Sequence, residues 1–388
     1  MAKFKAHGTL TSALFAIALA AGPLMADSGA NHQKRSTEFG VSGSSANDIS
    51  HAFCCGGTFG SAVTYDGALH ILSNNHILAR SGSATANEND IQPGLIDVSC
   101  QASGATVVGH FIGDKVPLGS GIGGNNVDAA LSAVVSGTMD SSGYIMDIGV
   151  PCSVPQAATV NEPIVKSGRT TGCSSGTVTS VNTSVKIQYQ VGCNAGRKFT
   201  INYANQVATT NISAGGDSGS LILSQSGLHP TALLYAGSST TTIGNPAGDV
   251  VNAFQAGGHT FSWVGTANCN TLSCNTCNQT GGFTCTGNQA ASLPRSASVG
   301  ASAAVPSWAS PSDGDVDLAR RVKEAHEPDL FSRPGVIGVG VGAIDADPTK
   351  AAIVIYLETG KNAAPHGLPA ELDGVPVKII PTDRFVAF

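Results

Sequence analysis

The chain has 388 residues, with 20 basic and 26 acidic side chains and a formal net charge of −6 at pH 7. This mildly acidic balance, without a basic stripe or aromatic–basic interleaving, argues against a nucleic-acid partner. The 48 glycines and the charged fraction of only 12%, together with many Ser, Thr and Asn residues, indicate an all-β exported protein. Its length allows two or three domains.

Residues 1–26 have the pattern of a secretory signal peptide. Two lysines precede an apolar run from Ala13 to Ala21. The breaker pair Gly22-Pro23 and then Leu24-Met25-Ala26 follow, with small residues at the positions that determine cleavage. The run is shorter than the roughly 20 residues that a membrane-spanning helix needs, so a retained anchor is the weaker alternative. We therefore expect a secreted or periplasmic protein that has no membrane attachment after cleavage. Residues 27–50 are polar and are interpreted as a pro-segment or linker.

Ten cysteines, an even number, predict disulfides in an oxidising compartment. Cys54 and Cys55 are adjacent, so each is expected to pair elsewhere, and Cys100 and Cys152 are candidate partners. A dense cluster follows near residue 270, and its members are Cys269, Cys274, Cys277 and Cys285. The spacing inside the cluster also suits zinc, but an exported chain favours disulfides, and we expect no metal.

Residues 51–268 consist of short apolar runs separated by turn residues, which is typical of a β-sandwich or barrel. One hairpin is predicted from residue 60 to residue 74, because Asp66-Gly67 supplies the positive φ angles of a two-residue turn. This hairpin places His76 just beyond a strand. A second hairpin is predicted around Asn182-Thr183. Since Cys173 and Cys193 flank it symmetrically, we predict that they form a disulfide.

The composition changes after residue 268. Residues 269–313 are rich in Cys and then in Ser, Ala, Gly and Pro, which indicates a linker. Residues 314–388 predict a small α/β accessory domain, with a helix that buries Leu318, Val322 and Ala325 and strands at 336–344, 351–358 and 375–380. The alternating glycines at 338, 340 and 342 indicate a strand that another element approaches closely, because no helix opens after them as a dinucleotide loop requires.

The sequence Gly216-Asp217-Ser218-Gly219-Ser220 presents one serine between glycines at a tight bend. Serine is a weak nucleophile unless a histidine takes its proton and a carboxylate orients that histidine. His76 and Asp128 are the upstream candidates. Each signal has a common structural alternative, such as a histidine after a strand or an aspartate in a turn. The order His, Asp, Ser favours the catalytic interpretation.

Four segments together resemble the chymotrypsin-fold, or trypsin-like, serine peptidases of the bacterial branch. They are Leu72-Ser73-Asn74-Asn75-His76, Asp128-Ala129-Ala130-Leu131, Gly168-Arg169-Thr170-Thr171-Gly172 and Gly216 to Ser220. The resemblance implies two six-stranded antiparallel β-barrels. It also implies that His76 acts as general base and acid, that Asp128 orients the imidazole and that Ser218 is acylated. The backbone N–H groups of Gly216 and Ser218 would form the oxyanion hole.

Two positions depart from the pattern of animal trypsins. In animal trypsins, a newly formed N-terminal amine neutralises the aspartate before the nucleophile, which is Asp217 here. No clear activation sequence precedes the domain in this chain, so Asp217 is expected to have a different partner or none. Position 212, six residues before the nucleophile, is acidic in true trypsins and is Ile212 here. We therefore expect a small or apolar primary pocket instead of a preference for Lys or Arg. Its expected walls are Ile212, Ser213, Ala236, Gly237 and Ser238.

The sequence thus predicts a secreted serine endopeptidase that hydrolyses peptides or proteins through an acyl-enzyme, without a metal or organic cofactor. A catalytically silent binding or scaffold module on the same fold and an esterase with the same triad are the alternatives. The C-terminal module resembles a small α/β domain that accompanies some bacterial trypsin-like peptidases, often ahead of the catalytic domain. We hypothesise that it regulates activity within the same chain.

Overall fold

The structure is a computed structural model that describes residues 30–50, 53–115, 118, 126–192, 196–278, 282–286, 308–360 and 367–387. The predicted signal peptide, residues 1–26, lies outside these residues, as does the part of the predicted linker from 287 to 307. Within the described ranges, no helix combines the length and apolar character needed to cross a bilayer.

Strands dominate the described part of the chain. They are β1 (Val41–Ser45), β2 (Ile49–Ser50), β3 (Phe53–Cys54), β4 (Gly57–Phe59), β5 (Ser61–Tyr65), β6 (Ala68–Ser73), β7 (Asn89–Gln92), β8 (Thr106–Lys115), β9 (Ala130–Val134), β10 (Pro163–Gly168), β11 (Gly172–Gln190), β12 (Lys198–Thr210), β13 (Leu221–Ser224), β14 (Pro230–Gly237), β15 (Thr241–Pro246), β16 (Phe261–Trp263), β17 (Ser273–Asn278), β18 (Gly282–Thr286), β19 (Val336–Ile344), β20 (Asp347–Glu358), β21 (Glu371–Leu372), β22 (Val375–Thr382) and β23 (Val386–Ala387). The α-helices are α1 (Asn75–Leu78), α2 (Ala247–Gln255) and α3 (Asp313–Ser332).

The first sheet has the strand order β16-β5-β6-β9-β8-β7-β1-β4. Its neighbours are antiparallel, and its interior is filled by side chains such as Phe59, Ile71, Phe111 and Leu131. β1 is buried and pairs with β4 and β7, so the interpretation of residues 27–50 as a pro-segment or linker is wrong for this part of the segment. The predicted hairpin joins β5 to β6, and Asp66 and Gly67 have φ angles of 48° and 80°. The turn prediction is therefore confirmed.

The second barrel contains β10, β13, β14, β15, β12 and β11 in that order, and β10 pairs with β11 to close it. Apolar residues including Ile164, Val178, Ile222 and Leu234 fill its interior. The predicted double barrel is thus confirmed, and this second barrel has the expected six strands. The first sheet has eight because the short β4 and β16 extend its ends.

The predicted hairpin around Asn182-Thr183 is wrong, since β11 runs through this segment as one strand of 19 residues. Asn182 does adopt the expected positive φ, 49°, but it does so inside a β-bulge. The hydroxyls of Ser180 and Thr183 lie 2.7 Å apart across that bulge. An asparagine with a left-handed backbone conformation is suited to a β-bulge as well as to a turn. The antiparallel partner that follows β11 in the chain is β12.

The C-terminal unit comprises α3 packed on β19, β20 and β22. β19 is antiparallel to β20, β20 is parallel to β22, and β19 also pairs with β11. The sheet is therefore continuous with the second barrel. At Gly342 a Cβ atom would lie 2.4 Å from the carbonyl oxygen of Thr179, so the predicted close approach at the glycine strand is confirmed.

Helix α3 begins at a capping serine and buries one face. Ser312 Oγ accepts a hydrogen bond of 3.2 Å from the Asp315 N–H. The buried face contains Ala319, Val322 and Leu330. Val322 is buried as predicted, whereas Leu318 is 46% exposed and Ala325 is also exposed, contrary to the prediction. The buried face of α3 begins at Ala319, one residue after the predicted position Leu318.

Two disulfides join described residues, Cys54 with Cys100 and Cys152 with Cys269. The predicted role of Cys100 is confirmed. The prediction that Cys152 pairs with Cys54 or Cys55 is wrong. Backbone β-pairing between Cys152 and Thr266 brings the segment before Cys269 beside Cys152. Cys173 is also disulfide-bonded. Cys193 lies outside the described residues, so its pairing with Cys173 stays a prediction, and the hairpin that motivated it is not formed.

Candidate active site

His76 and Asp128 meet because the strands that precede and follow them are paired. β6 ends at Ser73, which lies opposite Ala130 at the start of β9. His76 is in the single turn of α1 that follows β6, and Asp128 lies two residues before the start of β9. The side-chain amide of Asn74 donates a hydrogen bond of 2.7 Å to the Asp128 carbonyl and fixes the two segments together.

The Asp128 carboxylate is fully buried and holds the imidazole in a defined orientation. Its Oδ2 lies 2.6 Å from His76 Nδ1, and its Oδ1 accepts the His76 backbone N–H at 3.1 Å. Since a carboxylate only accepts, the shared hydrogen is on Nδ1, and Nε2 is left as the basic nitrogen. This is the arrangement that a histidine base requires.

Tyr189 supplies a further donor to the same carboxylate. Its hydroxyl donates to Asp128 Oδ2 at 2.8 Å and lies 2.8 Å from the hydroxyl of Tyr203. Burial, together with the charge of Asp128, raises the pKa of Tyr189 well above its ordinary value. The phenol therefore stays protonated and donating, and it shares the charge of Asp128 with the imidazole.

Ser218 is fully buried in the loop between β12 and β13. Its hydroxyl donates to the Tyr235 carbonyl at 3.1 Å, and its own carbonyl accepts the Thr58 N–H of the first barrel at 2.7 Å. Gly219, with a φ of 96°, packs so closely on the first barrel that a Cβ would lie 2.1 Å from the Thr58 carbonyl oxygen. The loop that carries Ser218 is thereby clamped between the two barrels.

Asp217 has an internal cation as its partner. Lys166 on β10 places Nζ 3.2 Å from Asp217 Oδ2, and both side chains are fully buried. The carboxylate also accepts the N–H groups of Thr170, Thr171 and Ala214 at 2.8, 3.2 and 3.0 Å. The segment Gly168 to Gly172 is therefore tied to the loop that carries Ser218.

Arg169 takes a different partner from Lys166. Its Nε and Nη2 donate to the two carboxylate oxygens of Asp97 at 2.7 and 2.5 Å. The guanidinium lies against Gly216, where a Cβ atom would be 2.8 Å from Nη1. Gly216 also has a φ of 99°, so only glycine fits this position without strain.

A cavity of 310 Å³ lies beside His76. Its lining includes Asp48, Tyr189, Gly216 and Ala387. Burial raises the pKa of Asp48 to about 6, against the opposing charges of Arg80 and His76. The cavity therefore joins the candidate base, the loop that contains Gly216 and one residue from the C-terminal unit.

The residues predicted for the primary pocket lie on two neighbouring segments. Ile212 packs in the interior of the second barrel, and the Ser213 hydroxyl lies 2.6 Å from that of Thr242. Ala236 and Gly237 form the end of β14, where β23 pairs with them. The Ser238 hydroxyl accepts a hydrogen bond of 2.7 Å from Thr382.

One group of potential metal ligands occurs among the described residues. The side-chain donor atoms of Cys152, His229 and Cys269 lie within 4.8 Å of one another. The two sulfurs form one disulfide, so neither is a thiolate that could bind a metal ion. His229 Nδ1 lies 2.8 Å from the carbonyl oxygen of Val154.

Sequence reasoning missed two contributors to the site, Lys166 and Tyr189. Lys166 follows the apolar residues Ile164 and Val165 on β10, and Tyr189 lies between two glutamines on β11. The partner of each residue is determined by how distant strands pair. The local signal for Lys166 was a single lysine directly after Ile164 and Val165, three residues before Arg169.

The two barrels thus meet at a boundary where the first contributes His76 and Asp128 and the second contributes Ser218. This is the fold of the chymotrypsin-like serine proteases. Solved structures similar to the chain are bacterial proteases of this fold. A glutamic acid-specific serine protease described as using a histidine triad in substrate binding is 24% identical, with a TM-score of 0.40, over 58% of this chain and 98% of its own.

Two further matches are similar in extent. Thermobifida fusca protease A is 17% identical over 59% of this chain and 99% of its own, with a TM-score of 0.39. Cellulomonas bogoriensis chymotrypsin is 19% identical over 54% of this chain and 91% of its own, with a TM-score of 0.35. No protein-family model and no curated protein matched the chain.

Proposed function

We propose that the chain is a serine endopeptidase that cleaves peptide bonds through an acyl-enzyme on Ser218. The observation that carries this proposal is the buried His76–Asp128 pair, with a 2.6 Å contact, at the barrel boundary that also holds Ser218. Neither group is needed there for packing alone. A buried carboxylate costs free energy unless its hydrogen bonds are satisfied, and here they converge on a histidine.

In the proposed mechanism His76 Nε2 takes the proton of the Ser218 hydroxyl as its oxygen attacks the peptide carbonyl. Asp128, supported by Tyr189, stabilises the imidazolium that forms. The backbone N–H groups of Gly216 and Ser218 bind the oxyanion, and His76 returns the proton to the leaving amine. Water then repeats the sequence on the ester and frees Ser218.

The Ser218 hydroxyl has one hydrogen, and it points to the Tyr235 carbonyl in this structure. Catalysis therefore requires a rotation of the Ser218 side chain toward His76. A peptide that binds along β14 would compete for the same Tyr235 carbonyl with its own N–H group, and this competition gives the substrate a means to release the hydroxyl.

We also propose that the mature protein is secreted or periplasmic. The Cys54–Cys100 and Cys152–Cys269 disulfides support this location, because such bonds persist mainly in oxidising compartments. The signal-peptide pattern of residues 1–26 agrees with it.

For substrate choice we propose an apolar or small side chain at the cleaved bond. Ile212, which replaces the acidic residue of true trypsins, offers no charge to a Lys or Arg side chain. A library of peptides that differ at one position tests this preference. Fastest cleavage after Lys or Arg would contradict it.

The function is tested by hydrolysis of an unfolded protein substrate by the wild type and by Ser218→Ala and Asp128→Asn variants. We expect kcat to fall by ~10⁴ or more in each variant, because the triad acts as a unit. Ser142→Ala, which changes an exposed serine whose hydroxyl donates to Asp140, serves as the control. Equal turnover by Ser218→Ala and the control would contradict the proposal.

A further inference from the structure

The strand β23 (Val386–Ala387) belongs to the C-terminal unit but pairs with the second barrel. It is antiparallel to β14, with Ala236 opposite Ala387 and Gly237 opposite Val386, and it is parallel to β11 at Gln188. β13 pairs with β14 only as far as Leu233. Among the described residues, β23 is thus the strand that covers the edge of Ala236 and Gly237 on that side.

This edge leads directly to the candidate nucleophile. The preceding residue on β14, Tyr235, accepts the hydrogen bond from the Ser218 hydroxyl. β23 runs toward Tyr235, and Ala387 lines the same 310 Å³ cavity as His76 and Gly216. Extended peptides commonly bind to proteins by adding a strand to an exposed sheet edge. β23 occupies the position that such a peptide would take beside Ser218.

Residues 383–387, which we name the arm, are anchored by two residues that precede β23, Asp383 and Phe385. Asp383 accepts the Ser239 N–H at 2.8 Å and the Ser239 hydroxyl at 2.5 Å. Phe385 is fully buried, its ring meets that of Tyr356 edge-on at 5.5 Å, and its carbonyl accepts the Gln188 N–H at 3.0 Å. Asp383 and Phe385 therefore hold β23 in place beside Ala236 and Gly237.

The arm is also held close by the rest of its unit. It follows β22, and β19 of the same sheet pairs with β11 of the second barrel. Tethering converts binding of the arm into an intramolecular step with an effective concentration of about millimolar for short links. A peptide in solution must compete against this local concentration.

We propose that the arm is an intramolecular inhibitor, which occupies the peptide-binding edge of Ala236 and Gly237 and keeps the full chain closed to substrates. The proposal rests on the peptidase function proposed above. Displacement or removal of the arm opens the edge to a peptide, whose N–H group can then compete for the Tyr235 carbonyl that holds the Ser218 hydroxyl.

The test compares full-length variants in peptide hydrolysis and, separately, in labelling by a small organophosphate that reacts with Ser218. Phe385→Ala removes the buried anchor, and Asp383→Ala removes the polar one. Asp345→Ala is the matched control, because Asp345 is an exposed aspartate of the same unit that pairs with Lys378 away from the cleft. A chain shortened to end at Thr382 provides an independent way to free the edge.

We expect peptide hydrolysis to rise by at least about 10-fold in Phe385→Ala and in the shortened chain, less in Asp383→Ala, and not at all in Asp345→Ala. A synthetic peptide of residues 379–387 should raise the KM of the shortened chain for a peptide substrate without a change in kcat. The proposal is overturned if the wild type, Phe385→Ala and the shortened chain all hydrolyse the peptide at the same rate.

The two readouts separate this inference from the function on which it rests. If organophosphate labels Ser218 but freeing the arm has no effect on peptide hydrolysis, the inhibitory arm is wrong and the peptidase function stands. If neither the wild type nor the shortened chain is labelled, the peptidase function fails and the inhibitory arm fails with it.

Discussion

Lys166 and Asp217 form an ion pair in the interior of the second barrel, with Nζ and Oδ2 3.2 Å apart and both side chains 0% exposed. Burial favours the neutral form of each group and lowers the pKa of Lys166. For Asp217, Lys166 and several hydrogen bonds outweigh the effect of burial, and its pKa lies below the usual value. The aspartate beside the nucleophile is thus neutralised by a side chain of β10, so its position needs no newly formed N-terminal amine.

Lys166→Met should destabilise the protein by about 3–5 kcal/mol, because it leaves a buried carboxylate without its cation. The double variant Lys166→Met/Asp217→Asn should recover most of this loss, since it removes the charge as well. Urea unfolding of the single and double variants measures both values. If the double variant is no more stable than Lys166→Met, the ion pair does not have the role assigned to it.

Tyr189→Phe should lower kcat by about 10- to 100-fold, because it removes a hydrogen bond to a charged group worth about 1.5–3 kcal/mol. The loss of this donor leaves more negative charge on Asp128, so the acidic limb of the pH profile of kcat/KM should move to higher pH. Tyr203→Phe is the control, because the Tyr203 hydroxyl contacts Tyr189 and not the carboxylate. Equal effects of the two variants on the pH profile would contradict a positioning role for Tyr189.

Two glycines of the loop that carries Ser218 differ in what surrounds them. Gly219→Ala should lower the free energy of unfolding by several kcal/mol, because φ is 96° and the added Cβ would lie 2.1 Å from the Thr58 carbonyl oxygen. Gly215→Ala should have little effect on unfolding, since a Cβ there would meet no atom within 4 Å. Thermal unfolding of both variants distinguishes them, and similar melting temperatures would show that the loop is not clamped between the barrels.

Glu162 provides a pH-dependent contribution to stability. Burial raises its pKa from 4.5 to about 7, although the Thr159 N–H and the Gln156 amide partly oppose the shift. A raised acid pKa favours the folded state fully below pH 4.5, and this contribution is lost as the pH rises through 7. With about 1.4 kcal/mol per pKa unit, the loss amounts to about 3 kcal/mol at most.

Glu162→Gln should therefore flatten the fall in unfolding free energy between pH 4.5 and 8, as measured by urea unfolding at several pH values. Glu371→Gln, at an exposed position on β21, controls for the loss of a negative charge. An unchanged pH slope in Glu162→Gln would show that this carboxyl group does not titrate in that range.

The sequence located the candidate site because its three residues lie in short motifs at strand ends and bends. The β5–β6 hairpin was likewise predictable, since Asp66-Gly67 is a strong local turn signal. In contrast, Asn182 supports either a turn or a bulge, and only the long pairing of β11 with β12 and β19 decides between them.

Local sequence patterns could not predict the contacts between segments that are distant in the chain. Tyr189 and Asp128 are 61 residues apart, and the cysteines of the two disulfides are separated by 46 and 117 positions. The covering of Ala236 and Gly237 by β23 depends on how the C-terminal unit docks on β11. Neither periodicity nor composition encodes that docking.

The central claim, that Ser218 is a nucleophile activated by His76, is tested most directly by mass spectrometry of the intact protein after reaction with diisopropyl fluorophosphate. We predict one adduct, mapped to Ser218, in the chain shortened to Thr382 and in its Ser220→Ala variant, and none in the corresponding Ser218→Ala and His76→Ala variants. An adduct on Ser220, an adduct that persists in His76→Ala at the same rate, or the lack of any adduct would contradict the account.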